Sequence, residues 1–426
     1  MDCANGLSRI RHLVFGLPRF ASLFVYTSLV TLTLPVWILQ NVGDEVKGRH
    51  LGLITAAAAL LSVALLAVFG WYRDRRSRIA QGPKYPLYAL GLMLPGLLLL
   101  HTELAYSAGI MVFLVLIVAR SFCEASHLAV LADQPTAGGT ERYTAGIAFW
   151  HFLGTGLGAA AFGLVSGTSW LGMGGSAANA ALLSFCVVAF SMVGYYGGYV
   201  RKMRDRMMPP VEESRRMPMR LPRNLWLLVG ARVFFLSGLL LIATFLVYIV
   251  RDLLAAGNVR QMTALLYGGS IIGSVLAALP AGRLTARRGE RFVLFLAGTL
   301  LAGVAALFFL LGRIHLAVTI ACMLAYGAGF AMVISAGLSL TVKLIPHPRM
   351  SGRIMAVMTA ATFVAQFVAS LSGAAVLDPF NRLRPNLGYL ALLVLVEIYL
   401  AAGGLFLFFM KEETGEGGRG KSSQWK

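Results

Sequence analysis

Three ionisable residues, Arg120, Glu124 and His127, interrupt the apolar stretch "IMVFLVLIVARSFCEASHLAVLA" at residues 110–132. At about 100° per residue they fall within roughly 60° of one another, so they line one face of a single helix. A carboxylate next to a guanidinium in apolar surroundings takes up or gives off a proton according to how near the arginine stands. A histidine beside it, titrating near neutral pH in water, can relay that proton. Two structural alternatives stand beside this chemistry: an Arg120–Glu124 pair that only makes the helix tolerable in lipid, and a His127 that only packs. Charge at a bilayer centre costs about 2.5 to 3.5 kcal/mol per residue on insertion scales, so these side chains are expected to face protein or water. His151, beside Trp150, either meets this cluster or sits in a packed interface, and the packed interface is the expectation.

Other candidates lie further along the chain. Arg232 has no local acid and suits an anionic or polyhydroxyl solute group, or else snorkels to the nearer membrane surface. Gln366 is a candidate hydrogen-bonding partner for the same solute, and Glu397 is expected to pair with another helix.

The elements that carry these residues follow from composition. The chain has 426 residues, of which 58% are hydrophobic and 13% charged, and its mean hydropathy is +0.75. Such a chain is solvated mostly by lipid. Apolar stretches of about 20 residues recur throughout, the length at which a helix crosses a ~30 Å hydrocarbon core. They are too long for barrel strands. Twelve spans are predicted, at about 13–39, 50–71, 85–102, 106–131, 144–166, 178–199, 224–250, 262–283, 291–312, 315–343, 353–378 and 386–410. The net charge of +19 is not spread as a nucleic-acid surface would require. With Arg120 and Arg232 set aside as in-span, Lys and Arg divide 28 to seven between alternate loops. That bias predicts both termini on the cytoplasmic side of the cell membrane. The cysteines, Cys3, Cys123, Cys186 and Cys322, are scattered singly, without metal-ligand spacing.

The longest polar stretch, "RKMRDRMMPPVEESRRMPMRLPR" at residues 201–223, divides the spans six and six. The expected organisation is an N-terminal six-helix bundle at 1–200, a basic cytoplasmic linker at 201–223, a C-terminal six-helix bundle at 224–410 and a cytoplasmic tail at 411–426. Landmarks recur in order at offsets of 204 to 212 residues, among them "LPRF" at Leu17 with "LPRN" at Leu221, and "FGWYRDRRSR" with "PAGRLTARRGER". Two such repeats about an axis normal to the membrane are a transporter design, with the solute site between them.

"GRLTARRGERFVL", residues 282–294, resembles the signature loop of the major facilitator superfamily. The resemblance rests on Gly282, Leu284, Arg287, Gly289 and Leu294, with Arg291 at a usually basic position and Ala286 where the family carries its acid. The first-half copy keeps Gly70, Asp74, Arg75 and Arg78, with Ser77 in place of the second glycine. The resemblance implies a loop that latches the halves on the cytoplasmic side, with Asp74 as the acid. It also implies a secondary carrier working by alternating access. "RSRIAQGPKYPLYALG" is similar to the glycoside and sucrose cation symporter branch at Gly82, Lys84 and Pro86, and implies a sugar-like solute. The fourth-helix arginine resembles that of proton-coupled exporters, with Glu124 where their glycine stands, and implies efflux of amphiphiles.

No phosphate-binding loop, metal-ligand cluster or nucleophile constellation is present in the sequence, so neither an ATP-driven pump nor an enzyme is expected and no cofactor is implied. The expected partners are membrane lipid, a small organic solute and a proton or other cation, with no nucleic acid, and the chain is expected to be a monomer. A second class stays open: a non-transporting assembly or pigment-delivery factor on the same scaffold, because "LADQPTAGGTERYTAG" is similar to light-harvesting assembly proteins.

Overall fold

The computed structural model describes residues 14–76, 84–100, 104–132, 140–165, 176–201, 222–311, 315–345 and 351–410. Helix α1 has three parts, Leu17–Val25, a π-helical stretch Tyr26–Thr33 and Leu34–Val42. It is followed by α2 (Lys47–Arg76), α3 (Tyr85–Leu99), α4 (Tyr106–Ala132), α5 (Thr140–Val165) and α6 (Ser176–Tyr195, extended by the π-helical turn Tyr196–Val200). The second half holds α7 (Arg223–Tyr248, extended by a π-helical turn Ile249–Leu253), α8 (Val259–Arg288), α9 (Glu290–Leu311), α10 (Leu316–Lys343), α11 (Ser351–Leu383) and α12 (Leu387–Phe408).

Ten of these helices are long and apolar enough to cross a bilayer, while Tyr85–Leu99 is a shorter apolar helix and α5 is not among the ten. Outward-facing side chains such as Phe190, Val193, Leu276 and Phe408 are apolar and exposed, as lipid contact requires. The linker lies outside the described residues except at its two ends, Arg201 and residues 222–223.

Pro35 explains the irregularity of α1. It has no amide to offer, and its ring excludes the carbonyl four residues earlier, so the turns before it widen. Thr33 Oγ1 closes one wide turn on the carbonyl of Ser28 at 2.6 Å, and Ser28 Oγ donates to the carbonyl of Phe24 at 2.7 Å. Gly43, at φ +78°, then ends the helix in a conformation that favours glycine.

The two halves meet along α2 with α11 and along α5 with α8. At the first seam Gly52 lies against Ser370 O and Ala374, closer than any side chain would permit. At the second, the added-Cβ position of Gly163 is 2.7 Å from Ala264, and that of Gly156 is 3.5 Å from Ile271. The other glycines of these runs pack within a half: Gly154 and Gly158 against the α1 backbone at Phe20 and Phe24, and Gly273 against Leu324 of α10. Only part of the small-residue surface is therefore available for sliding of one half on the other.

Candidate functional site

Glu124 lies at the centre of the charged cluster. Its Oε1 is 2.8 Å from Nη1 of Arg19 and its Oε2 is 3.5 Å from Nη2 of Arg120, with all three side chains 10 to 15% exposed. The Arg120–Glu124 spacing was legible in the sequence, but the shorter contact comes from Arg19. Arg19 reads as a terminal flanking charge, yet it lies inside the first span and is buried there, because α1 packs against α4 and α5. Arg19 Nη2 also lies 3.1 Å from Nδ1 of His151. Arginine can only donate, so Nδ1 accepts and the histidine carries its proton on Nε2. His151 thus joins the cluster, where a packed interface was the expectation. For His127, left open between relay and packing, the contacts are those of packing. It is buried, its ring is tilted against Phe15 with centroids 4.3 Å apart, and its Nε2 donates to the Phe15 carbonyl at 2.8 Å.

The second half approaches from the other side. The Arg120 guanidinium lies 3.8 Å from the centre of the Tyr26 ring and 5.9 Å from that of Phe363 on α11. Arg232, from α7, reaches the neighbouring residue: its Nη2 donates to Thr362 Oγ1 at 3.3 Å. Two consecutive positions of α11 therefore each neighbour a guanidinium, one from each half. Arg232 does not snorkel, since its Nε is buried and its Nη2 is bonded to Thr362 of α11.

A cavity of about 40 Å³ adjoins this cluster, lined by both halves, including Tyr26, Thr31, Thr55, Thr244, Tyr267 and Gln366. A cavity of that size has room for about one water. Tyr26 and Thr31 are presented by the π-helical stretch of α1, a distortion frequent at functional sites. Gln366 Nε2 donates to Thr244 at 3.1 Å and to Ser370 at 2.9 Å, so its carbonyl oxygen is left for other partners. Glu397 does not find the interhelical partner expected of it: its Oε1 is buried and unpaired.

Two kinds of comparison bear on this arrangement. The profile of the Major Facilitator Superfamily matches residues 19–370 and 259–424. The chain belongs to the major facilitator superfamily. Membership makes this facilitator a multi-pass membrane transporter and not an enzyme. A solved structure of the nucleoside transporter NupG superposes with a TM-score of 0.66 at 14% identity, covering 94% of this chain and 100% of that one. A peptide transporter, POT, in complex with sulfate gives 0.68 at 16% identity, covering 94% and 96%. At such identities they share the fold alone. A search of curated proteins returned no match.

The signature region of this facilitator differs from a loop. Helix α8 continues through Arg288, and Gly289 alone separates it from α9. Gly289 is at φ +83°, with its amide bonded to the Thr285 carbonyl at 2.9 Å, so glycine is needed there for backbone freedom. Gly282 has open space where a Cβ would stand, which removes close helix approach as its role in this state. Arg287 is exposed and Arg291 half-buried. The acid missing at Ala286 has a neighbour in Glu290, whose Oε1 binds Lys343 Nζ at 2.6 Å and Ser339 Oγ at 2.8 Å, tying α9 to α10 within the second half. In the first copy Gly70, Asp74 and Arg75 fall on the last turns of helix α2 and not in a loop, and Arg78 lies outside the described residues.

At the opposite end the halves are clasped by charges that sequence reasoning missed. Arg251 Nη1 and Nη2 grip Asp44 at 2.6 and 2.8 Å. Lys47 binds Asp44 at 2.9 Å and also Asp252, which in turn accepts from the Tyr389 hydroxyl. Asp378, buried on α11, accepts from the amides of Gly48 at 3.1 Å and Arg49 at 2.6 Å, capping the N-terminus of α2 from the other half. A carboxylate there also meets the positive end of the helix dipole. The Tyr248 hydroxyl donates to the Pro35 carbonyl at 3.0 Å. The Arg251 guanidinium holds the Asp44 carboxyl well below the usual carboxylate range. A signal existed: Asp44 and Asp252 stand 208 residues apart, inside the repeat offset.

Proposed function

We propose that this facilitator is a secondary active transporter of a small organic solute, coupled to a proton or other cation, working by rocker-switch alternating access. The halves are the bundles at 1–200 and 224–410, with the solute bound between them. With both termini cytoplasmic, the clasped end is the outer one, and outward opening requires Asp44, Lys47 and Asp378 to leave their partners. One observation carries the reading: ionisable side chains of opposite halves, Arg120 and Arg232, converge on one turn of α11 beside a cavity that both halves line. Such a cluster changes when the halves rock, because its members ride on different halves. Glu124 then exchanges its proton according to which mouth is open, as Arg232, carried by the other half, moves relative to it.

The test is Glu124→Gln in proteoliposomes. Solute accumulation driven by an imposed proton gradient should be lost, while exchange of solute at zero gradient persists and shows that the variant is folded. Undiminished gradient-driven accumulation by the variant refutes the coupling role.

A further inference from the structure

We infer that the solute carries a negative charge, and that its carboxylate or phosphate is held between Arg120 and Arg232. The inference rests on the carrier reading above and adds the sign of the solute's charge. Two guanidiniums, Arg19 and Arg120, share a single carboxylate, Glu124, and a third, Arg232, stands on the other half with no carboxylate bonded to it among the described residues. Arg19 engages that carboxylate at 2.8 Å and Arg120 stands further off at 3.5 Å. The hydrogen bond described for Arg232 goes to an uncharged hydroxyl, Thr362, at 3.3 Å. The Nε atoms of all three arginines are buried without an acceptor. Buried charges are as a rule paired, so a cluster of three guanidiniums and one carboxylate lacks a component.

Geometry indicates where the missing anion goes. Phe363 and Thr362 are adjacent on α11, and each touches one of the two arginines. Tyr26, beneath Arg120, lines the cavity, as does Gln366 one turn along α11 from Thr362. Gly337 of α10 lies beside Arg232, where an added Cβ would stand 3.7 Å from Nη1. A guanidinium fork matches the oxygens of carboxylate or phosphate, and two forks from opposite halves would share one such group. An anion bound by both halves favours the arrangement that brings them together, as a transported solute must. A neutral polyhydroxyl solute would leave the excess positive charge of the cluster uncompensated.

The experiment measures thermal unfolding of purified full-length protein at constant ionic strength. The probes are acid and amide pairs of one shape, nicotinate with nicotinamide and benzoate with benzamide, together with glucose 6-phosphate against glucose and inorganic sulfate. The charged probes are expected to raise Tm at concentrations up to about 50 mM and their neutral partners to do nothing, because only a ligand of the folded state stabilises it. Arg232→Gln and Arg120→Gln should each weaken the response at least tenfold. Without any ligand, Arg232→Gln should melt at or above the temperature of the parent, since it removes an uncompensated charge, and Glu124→Gln should melt below it. The inference is overturned by stabilisation from the neutral partners, by no response to any charged probe, by an undiminished response in Arg232→Gln, or by a lower ligand-free Tm for that variant. Accumulation of a neutral solute in proteoliposomes would leave the carrier standing and remove only the anion, whereas absence of any solute flux would remove the carrier reading itself.

Discussion

Replacing Asp378 with Asn should loosen the clasp between the halves by a calculable amount. The Asp378 carboxylate gives one oxygen to Gly48 N–H and the other to Arg49 N–H. Asparagine keeps one of these acceptors and turns an NH₂ donor toward the other amide, so one charge-assisted hydrogen bond is lost and the charge at the helix N-terminus disappears. A hydrogen bond to a charged group contributes about 1.5 to 3 kcal/mol and the dipole term roughly 0.3 to 1 kcal/mol. A net loss of about 2 kcal/mol shifts the balance between closed and open clasped ends by roughly 30-fold. Spin labels at Glu45 and Arg384, both exposed on opposite halves beside the clasp, would report it as a new long-distance population in pulsed dipolar spectra. A distance distribution identical to that of the parent would refute the assignment of Asp378 as a clamp between the halves.

Other consequences can be checked separately. Gly52→Leu should hold α2 off α11 and populate the same open state, because no side chain fits between Gly52 and the Ser370 carbonyl, and the same labels should detect it. Gly327→Leu should prevent α10 from seating on the α8 backbone at Ser270, costing several kcal/mol by overpacking and abolishing detergent-stable protein in size-exclusion chromatography. Tyr248→Phe removes the bond to the Pro35 carbonyl and should lower stability by about 1 kcal/mol in chemical unfolding. Because the folded-state affinity of Asp44 for protons is depressed, its contact with Arg251 is fully present above the ordinary carboxylate range and is lost as pH falls through the lower folded value. Its carboxylate band in difference infrared spectra, assigned with Asp44→Asn, should therefore persist from neutral pH to below about pH 4.

Contacts local in sequence could be read before any coordinates, and contacts between helices could not. Arg120 and Glu124 are one helical turn apart, so their pairing follows from spacing alone. Arg19 and His151 reach the same carboxylate from α1 and α5, and no periodicity reveals which faces of two helices will meet. Span lengths were legible because the bilayer imposes them, yet α3 is shorter than its predicted stretch and α8 continues past its predicted end into the signature region. The clasp was hidden for another reason. Asp44, Lys47, Arg251 and Asp252 sit at span ends, where charges are commonplace, and only their shared repeat position sets two of them apart.

The π-helical stretch between Tyr26 and Thr33 divides α1 into an inner rod anchored by Arg19 and an outer rod tied to Tyr248 through Pro35. Each wide turn holds more residues than an ordinary one, so the stretch stores slack that a shift of one residue can take up, swinging Thr31 about the helix axis while the anchor stays fixed. Which atoms line the chamber is thus encoded in backbone spacing as much as in side-chain identity. Shortening the stretch by one residue would redraw the chamber without changing any of its charges.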